Sequence, residues 1–302
     1  MKRMTASDRV LSIVNYLVLG ILSFMCLYPF IYMLALSFNT GMDTMRGGIT
    51  FYPRDFTLGN YITVINQTNI LGAYRITILR TVIGTFTSVF VTALTAYGLS
   101  EKKLPGRKLI MIYMLIPMFF SGGLIPSYLA YKDYHLLNSF WIYILPGIFN
   151  IWNCIVMKSC FMQISPSLKE AVRIDGGNEF HIFVKIIFPL SLPTFAAIAL
   201  FVAVGHWNEW FTGAYYITDL ELKPVQTFLQ SFMAQNSISA LLERGETIST
   251  AQASAAAFDQ SKTTAFSVKM AAVVIGTAPI LVVYPFLQKY FVKGVMIGGI
   301  KE

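Results

Sequence analysis

The sequence predicts an all-α, polytopic membrane protein with six transmembrane helices, and two observations lead to this fold class. Of the 302 residues, 55% are hydrophobic and only 13% are charged, whereas an ordinary globular chain carries about 25% charged residues. In addition, six apolar runs are each long enough to cross a hydrocarbon core, which requires about 20 residues of helix. Buried helices of soluble proteins seldom run this long without a charge, so we expect the chain to lie in a membrane.

The apolar runs predict a single transmembrane domain over residues 1–302. The first run, residues 10–38, contains no charge in 29 positions. It is too long for the apolar core of a signal peptide, so we expect it to be retained as the first span. Several runs contain prolines, which transmembrane helices tolerate better than soluble helices do. The predicted spans are residues 10–38, 76–100, 109–131, 136–160, 186–217 and 267–290.

The distribution of charge predicts how the spans are oriented. With six spans, both termini lie on the same side as the loops after the second and fourth spans. These segments hold 14 basic and 6 acidic residues, a net charge of +8, whereas the other segments hold nine of each kind. Because Lys and Arg accumulate on the cytoplasmic side of membrane proteins, we expect both termini to be cytoplasmic. Loops 39–75 and 219–266 would then lie outside.

Several other classes of site are not indicated. The basic residues are dispersed along the membrane edges rather than gathered on one surface, which argues against a nucleic-acid partner. The three cysteines and three histidines match no metal-binding spacing, so we expect no metal site. The long outside loop, 219–266, suits either a disordered segment or a surface that receives a partner.

The loop between the fourth and fifth spans, 165–185, contains the charged stretch EAVRIDGGNEF, residues 170–180. Ser165 can cap a helix that begins at Pro166, because a proline at the first helical position lacks only an N–H that would be unpaired anyway. Ser167 and Glu170 have the spacing of a capping box. We expect this helix to cover residues 168–174 and to stop at Asp175, Gly176 and Gly177, since glycine can adopt the left-handed conformation that ends helices.

A second short helix is predicted to follow, with Asn178 as its cap. Phe180, Phe183 and Ile187 would share one face of that helix. A helix, a sharp turn and a second helix would be tied rigidly to the spans on both sides. We therefore favour a docking lever, on which a cytoplasmic partner can push or pull, over a plain surface loop.

The pattern E-A-V-x-x-D-G-G, followed by Phe183, Ile186, Pro189 and Pro193, resembles the EAA loop of permeases from ATP-binding-cassette (ABC) importers. More narrowly, it is similar to the binding-protein-dependent sugar permeases of the maltose-transporter type. Three stretches resemble their first outside loop, fifth span and cytoplasmic tail: YPRDFTLGNY (52–61), HWNEW (206–210) and YFVKGVMIGGIKE (290–302). The resemblance is nearest to the subgroup for complex oligosaccharides of polysaccharide origin, from lipoprotein-dependent Gram-positive systems.

The resemblance implies that the loop is a coupling helix, which seats in a groove of a cytoplasmic ATPase subunit. Glu170 would face that ATPase, Ala171 would allow close approach, and Gly176 would make the turn. Val172 replaces the second alanine of the family triplet and Gly177 replaces another small residue, but both positions keep modest side chains. The residues implied in ATPase coupling are Glu170, Ala171, Val172, Asp175, Gly176, Gly177, Phe180 and Phe183.

The resemblance also implies the partners, in a bacterial cell membrane. They are a second, homologous permease that forms a heterodimer, an ATPase dimer, and an extracytoplasmic solute-binding lipoprotein that delivers an oligosaccharide. The sequence has no G-x-x-x-x-G-K-[ST] loop, whose backbone N–H groups would cradle phosphates. We therefore expect a transport subunit rather than an enzyme, with ATP and magnesium bound by the separate ATPase and no cofactor bound by this chain.

The predicted fifth span contains an acid, Glu209, and an acid within a span is costly and often functional. Aromatic faces beside carboxylate or amide groups could hold sugar rings, with Asn208 and Glu209 accepting hydrogen bonds from hydroxyls. Alternatively, Glu209 pairs with a neighbouring span or with the partner permease and serves packing. Both hypotheses stay open. The candidate substrate path consists of Trp207, Asn208, Glu209, Trp210 and Tyr215.

Three alternative functions need different features. A secondary transporter would need carboxylates for a coupling ion near the bilayer midplane and often an internal repeat, whereas only Glu209 comes close. A membrane-embedded enzyme would need a motif such as H-E-x-x-H, which the sequence lacks. An ABC permease for a peptide or another solute would share the EAA-type loop, so only the details of the sugar permeases favour carbohydrate.

Overall fold

The computed structural model describes residues 6–67, 69–231, 233 and 263–298. Within these ranges the secondary structure is helical, with an isolated antiparallel bridge between Asn39 and Phe56. The helices are α1 (Ala6–Ser37), α2 (Gly41–Arg46), α3 (Gly59–Gln67), α4 (Ile70–Ser100), α5 (Arg107–Phe119), α6 (Leu124–Asp133), α7 (Ile151–Phe161), α8 (Pro166–Ile174), α9 (Glu179–Leu190), α10 (Leu192–Asn208), α11 (Phe211–Tyr215) and α12 (Ala265–Gly298).

Three shorter features complete the described chain. Phe140–Tyr143 and Leu220–Leu222 are short 3₁₀ helices, and residues 225–231 are helical. Phe183–Ile187, within α9, form a π-helical turn. The chain divides into two compact units. One contains α1 to α3 and the first part of α12, and the other contains α4 to α11 and the last part of α12.

Two described helices are long and apolar enough to cross a membrane, namely Arg9–Ser37 within α1, and α4. Two bent assemblies also reach this length if each is counted as one span: α5 with α6, which meet at 115°, and α9 with α10–α11, which meet at 81°. Ile151–Phe161 and Phe266–Val282 are apolar but shorter. The structure thus supports a helical membrane protein with two to four segments of spanning length, and six spans remain a prediction.

The predicted third and fifth spans are not single helices. The helix of the third span is interrupted between Phe119 and Leu124, where Gly123 has a φ of +83°, a conformation that favours glycine. The fifth span is interrupted at Ser191, which lies between Pro189 and Pro193. Because proline lacks a backbone N–H and its ring clashes with the preceding turn, it breaks or bends a helix.

The predicted fourth span, 136–160, is helical over only part of its length. After the 3₁₀ turn Phe140–Tyr143, regular helix resumes at Ile151. The side chain of Asn150 caps α7 by accepting a hydrogen bond from the N–H of Asn153 at 3.0 Å. Such a cap pairs one of the N–H groups that the first turn of a helix leaves free.

In the second unit, α4 packs against α7 and α10. Small, buried residues recur along α4 at four-residue spacing, which lets the backbones of neighbouring helices approach closely. These residues are Gly84, Ser88, Thr92, Ala96 and Ser100. Leu99, Met157, Phe161 and Ile187 belong to the apolar core that fills the space between α4, α7 and α9.

In the first unit, the end of α1 leads into a folded polar loop. The apolar window of α1 is unburied within the described residues, whereas Ala35 and Leu36 at its end pack on Ile49. Beyond them, the buried amide of Asn60 donates hydrogen bonds to the carbonyl oxygens of Ser37 and Asn39, both at 2.9 Å. These bonds hold loop 39–58 against the beginning of α3.

Candidate functional site

The predicted coupling loop contains the expected helix, α8, and two backbone hydrogen bonds define where this helix ends. The N–H of Gly177 donates to the carbonyl of Val172 at 2.8 Å, and the N–H of Gly176 donates to that of Arg173 at 3.1 Å. Gly176 has a φ of +82°. Together these features form a Schellman C-cap, which satisfies carbonyls that the last turn leaves unpaired. A Cβ at position 177 would lie 2.5 Å from Cγ1 of Val172, so only glycine fits there without a shift.

The beginning of α8 differs in detail from the prediction. The helix starts at Pro166, with Ser165 in the N-cap position. The Ser165 side chain does not accept a hydrogen bond from a helix N–H; its hydroxyl is 2.7 Å from that of Ser167. The two hydroxyls therefore pair with each other, and the predicted capping by Ser165 is wrong.

α8 has two chemically different faces. Glu170, Ala171 and Ile174 are exposed, and Ile174 reaches 85% exposure. On the other side, Lys169 is buried and Val172 packs on the apolar core of the second unit. The exposed residues follow the i, i+1, i+4 spacing of one helix face. α8 thus presents a small apolar surface with one carboxylate, which no described residue of this chain covers.

The second helix of the loop is capped as predicted, but one aromatic residue points elsewhere. The side chain of Asn178 accepts a hydrogen bond from the N–H of His181 at 2.9 Å. Phe183 and Ile187 are buried, whereas Phe180 is 64% exposed. Fully buried Ile182 marks the inner face, and Phe180 is about 200° away from it around the helix. The sequence grouped Phe180 with Phe183 and Ile187 on one face of this helix, but the structure buries only the latter two.

Five side chains form a closed set of contacts, which we name the α4–α8 ion ring: Tyr97, Glu101, Lys169, Arg173 and Glu179. Arg173 donates to Glu179 at 2.8 Å and to Glu101 at 3.4 Å. Nζ of Lys169 lies 3.7 Å from Oε2 of Glu101 and 5.6 Å from the ring centroid of Tyr97. The Tyr97 hydroxyl closes the ring by donating to Glu179 at 2.5 Å. This hydrogen bond, together with the Arg173 guanidinium, holds the pKa of Glu179 below its ordinary value.

Glu209, in the candidate substrate path, forms an ion pair with α4. Its Oε2 lies 3.1 Å from Nη1 of Arg80, and its carbonyl oxygen accepts a second hydrogen bond from Nη2. The Arg80 side chain is 1% exposed and that of Glu209 is 34% exposed. The guanidinium also lies 5.1 Å above the ring of Tyr143. Of the two hypotheses for Glu209, the structure contains the pairing with a neighbouring helix.

Glu209 also shapes the chain where α10 ends. Its Oε1 accepts a hydrogen bond from the N–H of Thr212 at 2.7 Å. The carboxylate therefore stabilises the first turn of α11 and holds Arg80 at the same time. Both of its oxygens have partners, which leaves less capacity for sugar hydroxyls than the sequence suggested.

The other residues of the candidate path lie around this break. Trp207 is half-buried, with its ring 6.5 Å from that of Tyr74. Asn208 is exposed, and so are Trp210 and Tyr215, whose rings are 6.5 Å apart. The structure thus brings two exposed aromatic rings together next to an exposed amide. This surface can stack on an apolar ring face and accept or donate hydrogen bonds.

Arg80, Tyr97 and Glu101 were not among the predicted site residues. Arg80 had a usable signal, because a cation at the edge of an apolar run that is not at the membrane surface needs an acidic partner. Glu209 was the candidate acid in the spans. Tyr97 and Glu101 had no such signal, since their partners are more than 60 residues away in the sequence.

The stretch 52–61 belongs to a polar network around Asn39. The side chain of Asn39 donates to those of Asp43 and Thr44, both at 3.0 Å, and accepts from the N–H of Asp55 at 2.9 Å. The hydrogen bond from Asn39, followed by the bonds and charge of Arg54, lowers the pKa of Asp43. Tyr61 reaches the hydroxyl of Ser37 at 2.8 Å. The loop is therefore a folded element of the first unit.

Comparison with protein families gives one match that covers most of the chain. Residues 104–297 match the family described as "Binding-protein-dependent transport system inner membrane component". These residues include α5 to α11 and therefore the coupling loop and the candidate substrate path. No group of three or more His, Cys, Asp or Glu that could hold a metal ion occurs among the described residues.

Similar proteins of known or assigned role cover nearly the whole chain. A polygalacturonan/rhamnogalacturonan transport system permease protein of Bacillus subtilis, YtcP, is 36% identical over 97% of this chain and 99% of its own length. A trehalose/maltose transport system permease of Thermococcus litoralis is 27% identical, with 97% of each chain covered. Among solved structures, a chain of a bacterial ABC transporter involved in importing the acidic polysaccharide alginate has a TM-score of 0.81 and 31% identity, over 96% of this chain and all of that chain.

Proposed function

This chain belongs to the family of inner membrane components of binding-protein-dependent transport systems, and we propose that it is one permease subunit of an ABC importer for oligosaccharides. Its sequence relatives and its structural neighbour are permeases of carbohydrate importers. This agreement favours a carbohydrate over a peptide or another solute. It also favours an ATP-driven permease over a secondary transporter.

The observation that carries the mechanism is the two-faced helix α8. Its inner face is anchored through Val172 and Lys169, while Glu170, Ala171 and Ile174 are exposed. Because the Schellman turn at Gly176 and Gly177 fixes the end of the helix, a partner that grips the outer face would move α8 as a unit. We assign this face to the groove of an ATPase subunit, with Asp175 and exposed Phe180 at its margin.

The energy for transport would come from that partner. ATP and magnesium would be bound by an ATPase dimer, and this chain would perform no hydrolysis. A ligand shifts a conformational equilibrium only through unequal affinity for the two states. Closure of the ATPase pair around ATP would therefore drive the permeases through α8, and hydrolysis would reset them. A second, homologous permease would complete the pathway, and an extracytoplasmic binding lipoprotein would deliver the sugar.

In the membrane, the proposal takes six spans with both termini in the cytoplasm of a bacterial cell. The bent assembly α5–α6, and the part of α9–α11 from residue 186 onward, would each serve as one span, and α7 and α12 would complete the set. The excess of positive charge on the segments with the termini and α8 supports this orientation. α8 would thus lie on the side where ATP is available.

For the sugar path, the exposed rings of Trp210 and Tyr215 would stack on sugar faces, while Asn208 and the half-buried Trp207 would flank them. Glu209 would keep the break after α10 in place through Arg80 and Thr212. Trp210→Ala should raise the sugar concentration for half-maximal uptake, and Glu209→Gln tests whether the carboxylate itself contacts the sugar. Unchanged uptake kinetics in Glu209→Gln would restrict that residue to its structural role.

Purification of the tagged chain from its native membranes in mild detergent tests the proposed function. We expect a second permease, an ATPase and a binding lipoprotein to co-purify at fixed ratio. ATP hydrolysis by this complex should rise with oligogalacturonides or with maltodextrins, used as acidic and neutral probes. A chain that purifies alone or as a homo-oligomer would contradict the assignment.

Variants of the coupling loop sharpen this test. Glu170→Lys reverses the charge on the exposed face, and Gly176→Leu places a branched side chain at a φ of +82°, where only glycine is unstrained. Both should abolish uptake while the chain stays in the membrane. Normal uptake in either variant would remove α8 from the coupling mechanism.

A further inference from the structure

The α4–α8 ion ring joins three separate segments of the chain at one point. Glu101 directly follows the last residue of α4, and Tyr97 lies one turn before it. Lys169 and Arg173 are one turn apart on α8, and Glu179 is the first residue of α9. The ring therefore attaches the coupling helix to α4, to which it is not connected directly in sequence.

The charges of the ring are balanced and their order is alternating. Two cations and two carboxylates follow one another, so that Glu101 lies between Lys169 and Arg173, and Arg173 between Glu101 and Glu179. Each carboxylate contacts at least one cation, and Arg173 contacts both carboxylates. Networks of this kind restrict geometry more than isolated surface pairs do, because the side chains hold one another in position.

One member of the ring is buried, which shows that the contacts are part of the packing. The side chain of Lys169 is only 10% exposed, and lysine is almost never buried unless its charge is paired. Here its ammonium has the carboxylate of Glu101 and the face of the Tyr97 ring as partners. By contrast, the side chain of Glu179 is 58% exposed, so this part of the ring is the more easily broken.

The ring offers a second route from α8 to the transmembrane helices, in addition to the covalent chain. Towards the C-terminus, motion along the chain would pass through the glycine turn, the π-helical turn of α9 and the 81° bend at Ser191. Towards the N-terminus, it would reach α7 through residues 162–165. Through the ring, motion reaches α4, a continuous helix of 31 residues. Arg80, nearer the other end of α4, holds Glu209 at the break between α10 and α11.

We infer that the α4–α8 ion ring is a second coupling link, through which displacement of α8 moves α4 directly, with Arg173, Glu179 and Tyr97 as positioning residues. This inference rests on the proposed function, because it requires that a partner displaces α8. None of the three residues needs to touch the ATPase or the sugar. Their effect is on how much of the ATPase movement reaches the spans, that is, on transport per ATP hydrolysed.

The test compares Arg173→Gln with Arg173→Lys and with a matched control, Lys102→Gln. Lys102 is an exposed cation directly beside Glu101, so this control removes a charge at the same helix end without touching the ring. The assembled transporter is reconstituted in liposomes with its partner permease, ATPase and binding protein. Sugar uptake and ATP hydrolysis are measured together, with oligogalacturonides as the probe, or maltodextrins if only these stimulate the wild-type complex.

We expect Arg173→Gln to keep the ATPase bound and hydrolysing ATP, while the sugar transported per ATP falls about two- to thirtyfold. Arg173→Lys, which keeps the charge, should recover most of the ratio, and Lys102→Gln should match the wild type. Tyr97→Phe removes only one hydroxyl and should show a smaller fall of the same kind. Tyr97→Phe also tests the inference if a complex that contains Arg173→Gln fails to assemble.

Two results would separate the failure of this inference from that of the proposed function. A wild-type ratio of sugar to ATP in both Arg173→Gln and Tyr97→Phe would overturn the coupling link and leave the permease assignment intact. A wild-type chain that assembles with no ATPase would overturn both. A parallel fall in uptake and hydrolysis at an unchanged ratio would show that the ring serves folding alone, which also overturns the inference.

Discussion

At the scale of single residues, Arg80 and Glu209 each take part in several contacts at once. Arg80 is almost completely buried, and a buried guanidinium needs charged and hydrogen-bonding partners. Glu209 supplies a carboxylate and a carbonyl oxygen, and Tyr143 supplies an aromatic face. The carboxylate also caps α11 through the N–H of Thr212. Loss of either side chain should therefore affect more than one contact.

Because Arg80 is more deeply buried than Glu209, we expect substitutions at these two positions to lower the stability by unequal amounts. Glu209→Gln leaves the buried cation of Arg80 without an anion, and loss of one partner of a buried pair costs about 3–5 kcal/mol. Because the side chain of Glu209 is 34% exposed, we expect a value at the lower end of this range or below it. Arg80→Met removes the buried charge and leaves a carboxylate that water can reach, so its effect should be smaller.

Thermal unfolding of the purified complex in detergent measures both effects. The double variant, Arg80→Met with Glu209→Gln, provides the control, because it removes both charges together. Its loss of stability should be less than the sum of the two single losses. Equal losses for the two single variants, or strictly additive losses in the double variant, would contradict the dependence on pairing.

At the scale of elements, glycines fix the places where segments meet. In the first unit, Gly41 begins α2 directly against residues 263 and 264, just before α12. A Cβ at position 41 would lie 2.4 Å from the backbone nitrogen of Thr264 and 2.6 Å from the carbonyl carbon of Thr263. Both are backbone atoms, so a side chain could be accommodated only if α2 or the segment before α12 moved.

We therefore expect Gly41→Ala to destabilise the first unit by about 1–3 kcal/mol, the usual effect of overpacking. Gly20→Ala is the matched control, because position 20 lies inside α1 and, apart from the backbone of its own helix, no described atom lies within 4 Å of the added Cβ. Alanine has the higher helix propensity, so the control should be neutral or stabilising by up to about 1 kcal/mol. The test is thermal unfolding of both variants in detergent. Equal stability of the two variants would contradict the close contact predicted for a side chain at position 41.

The ends and bends of the helices show how far the sequence predicts this structure. The end of α8 was predictable because Gly176 and Gly177 act locally, through a left-handed turn. The bend of 81° lies between Pro189 and Pro193, but the sequence did not predict it, because the angle depends on the helices packed around it. Capping by Ser165 was wrong because Ser167 offers a competing hydroxyl. Local chemistry therefore predicts where helices stop better than it predicts which polar groups pair.

The candidate sites show the same difference between features set by local sequence and features set by distant contacts. The exposed face of α8 could be predicted, since helical spacing places Glu170, Ala171 and Ile174 together. The orientation of Phe180 could not, because the buried face of α9 is set by contacts of Ile182 with distant parts of the chain. The partner of Glu209, Arg80, lies 129 positions away. The sequence marks Arg80 as a cation that needs an acidic partner, but the position of that partner depends on tertiary packing.

At the scale of the whole molecule, the distribution of charge predicts the proposed orientation in the membrane. The formal charge of +8 lies on the segments with the termini and with α8. α1 has an apolar window that is unburied within the described residues, so we expect lipid or another subunit to cover it. A long helix that is apolar on every side is stable in hydrocarbon because all its interior backbone groups are paired along the helix.

The orientation predicts which positions a membrane-impermeant maleimide can reach. Tyr52, in loop 39–58, is 73% exposed, and Lys102, after α4, is also exposed. After the three native cysteines have been replaced, Tyr52→Cys should react in intact cells. Lys102→Cys should react only after the membrane has been permeabilised, because the reagent cannot cross it. Both positions are exposed, so each serves as the control for the other. The reverse pattern would invert the topology and place α8 on the side without ATP, and with it the proposed docking of an ATPase would be untenable.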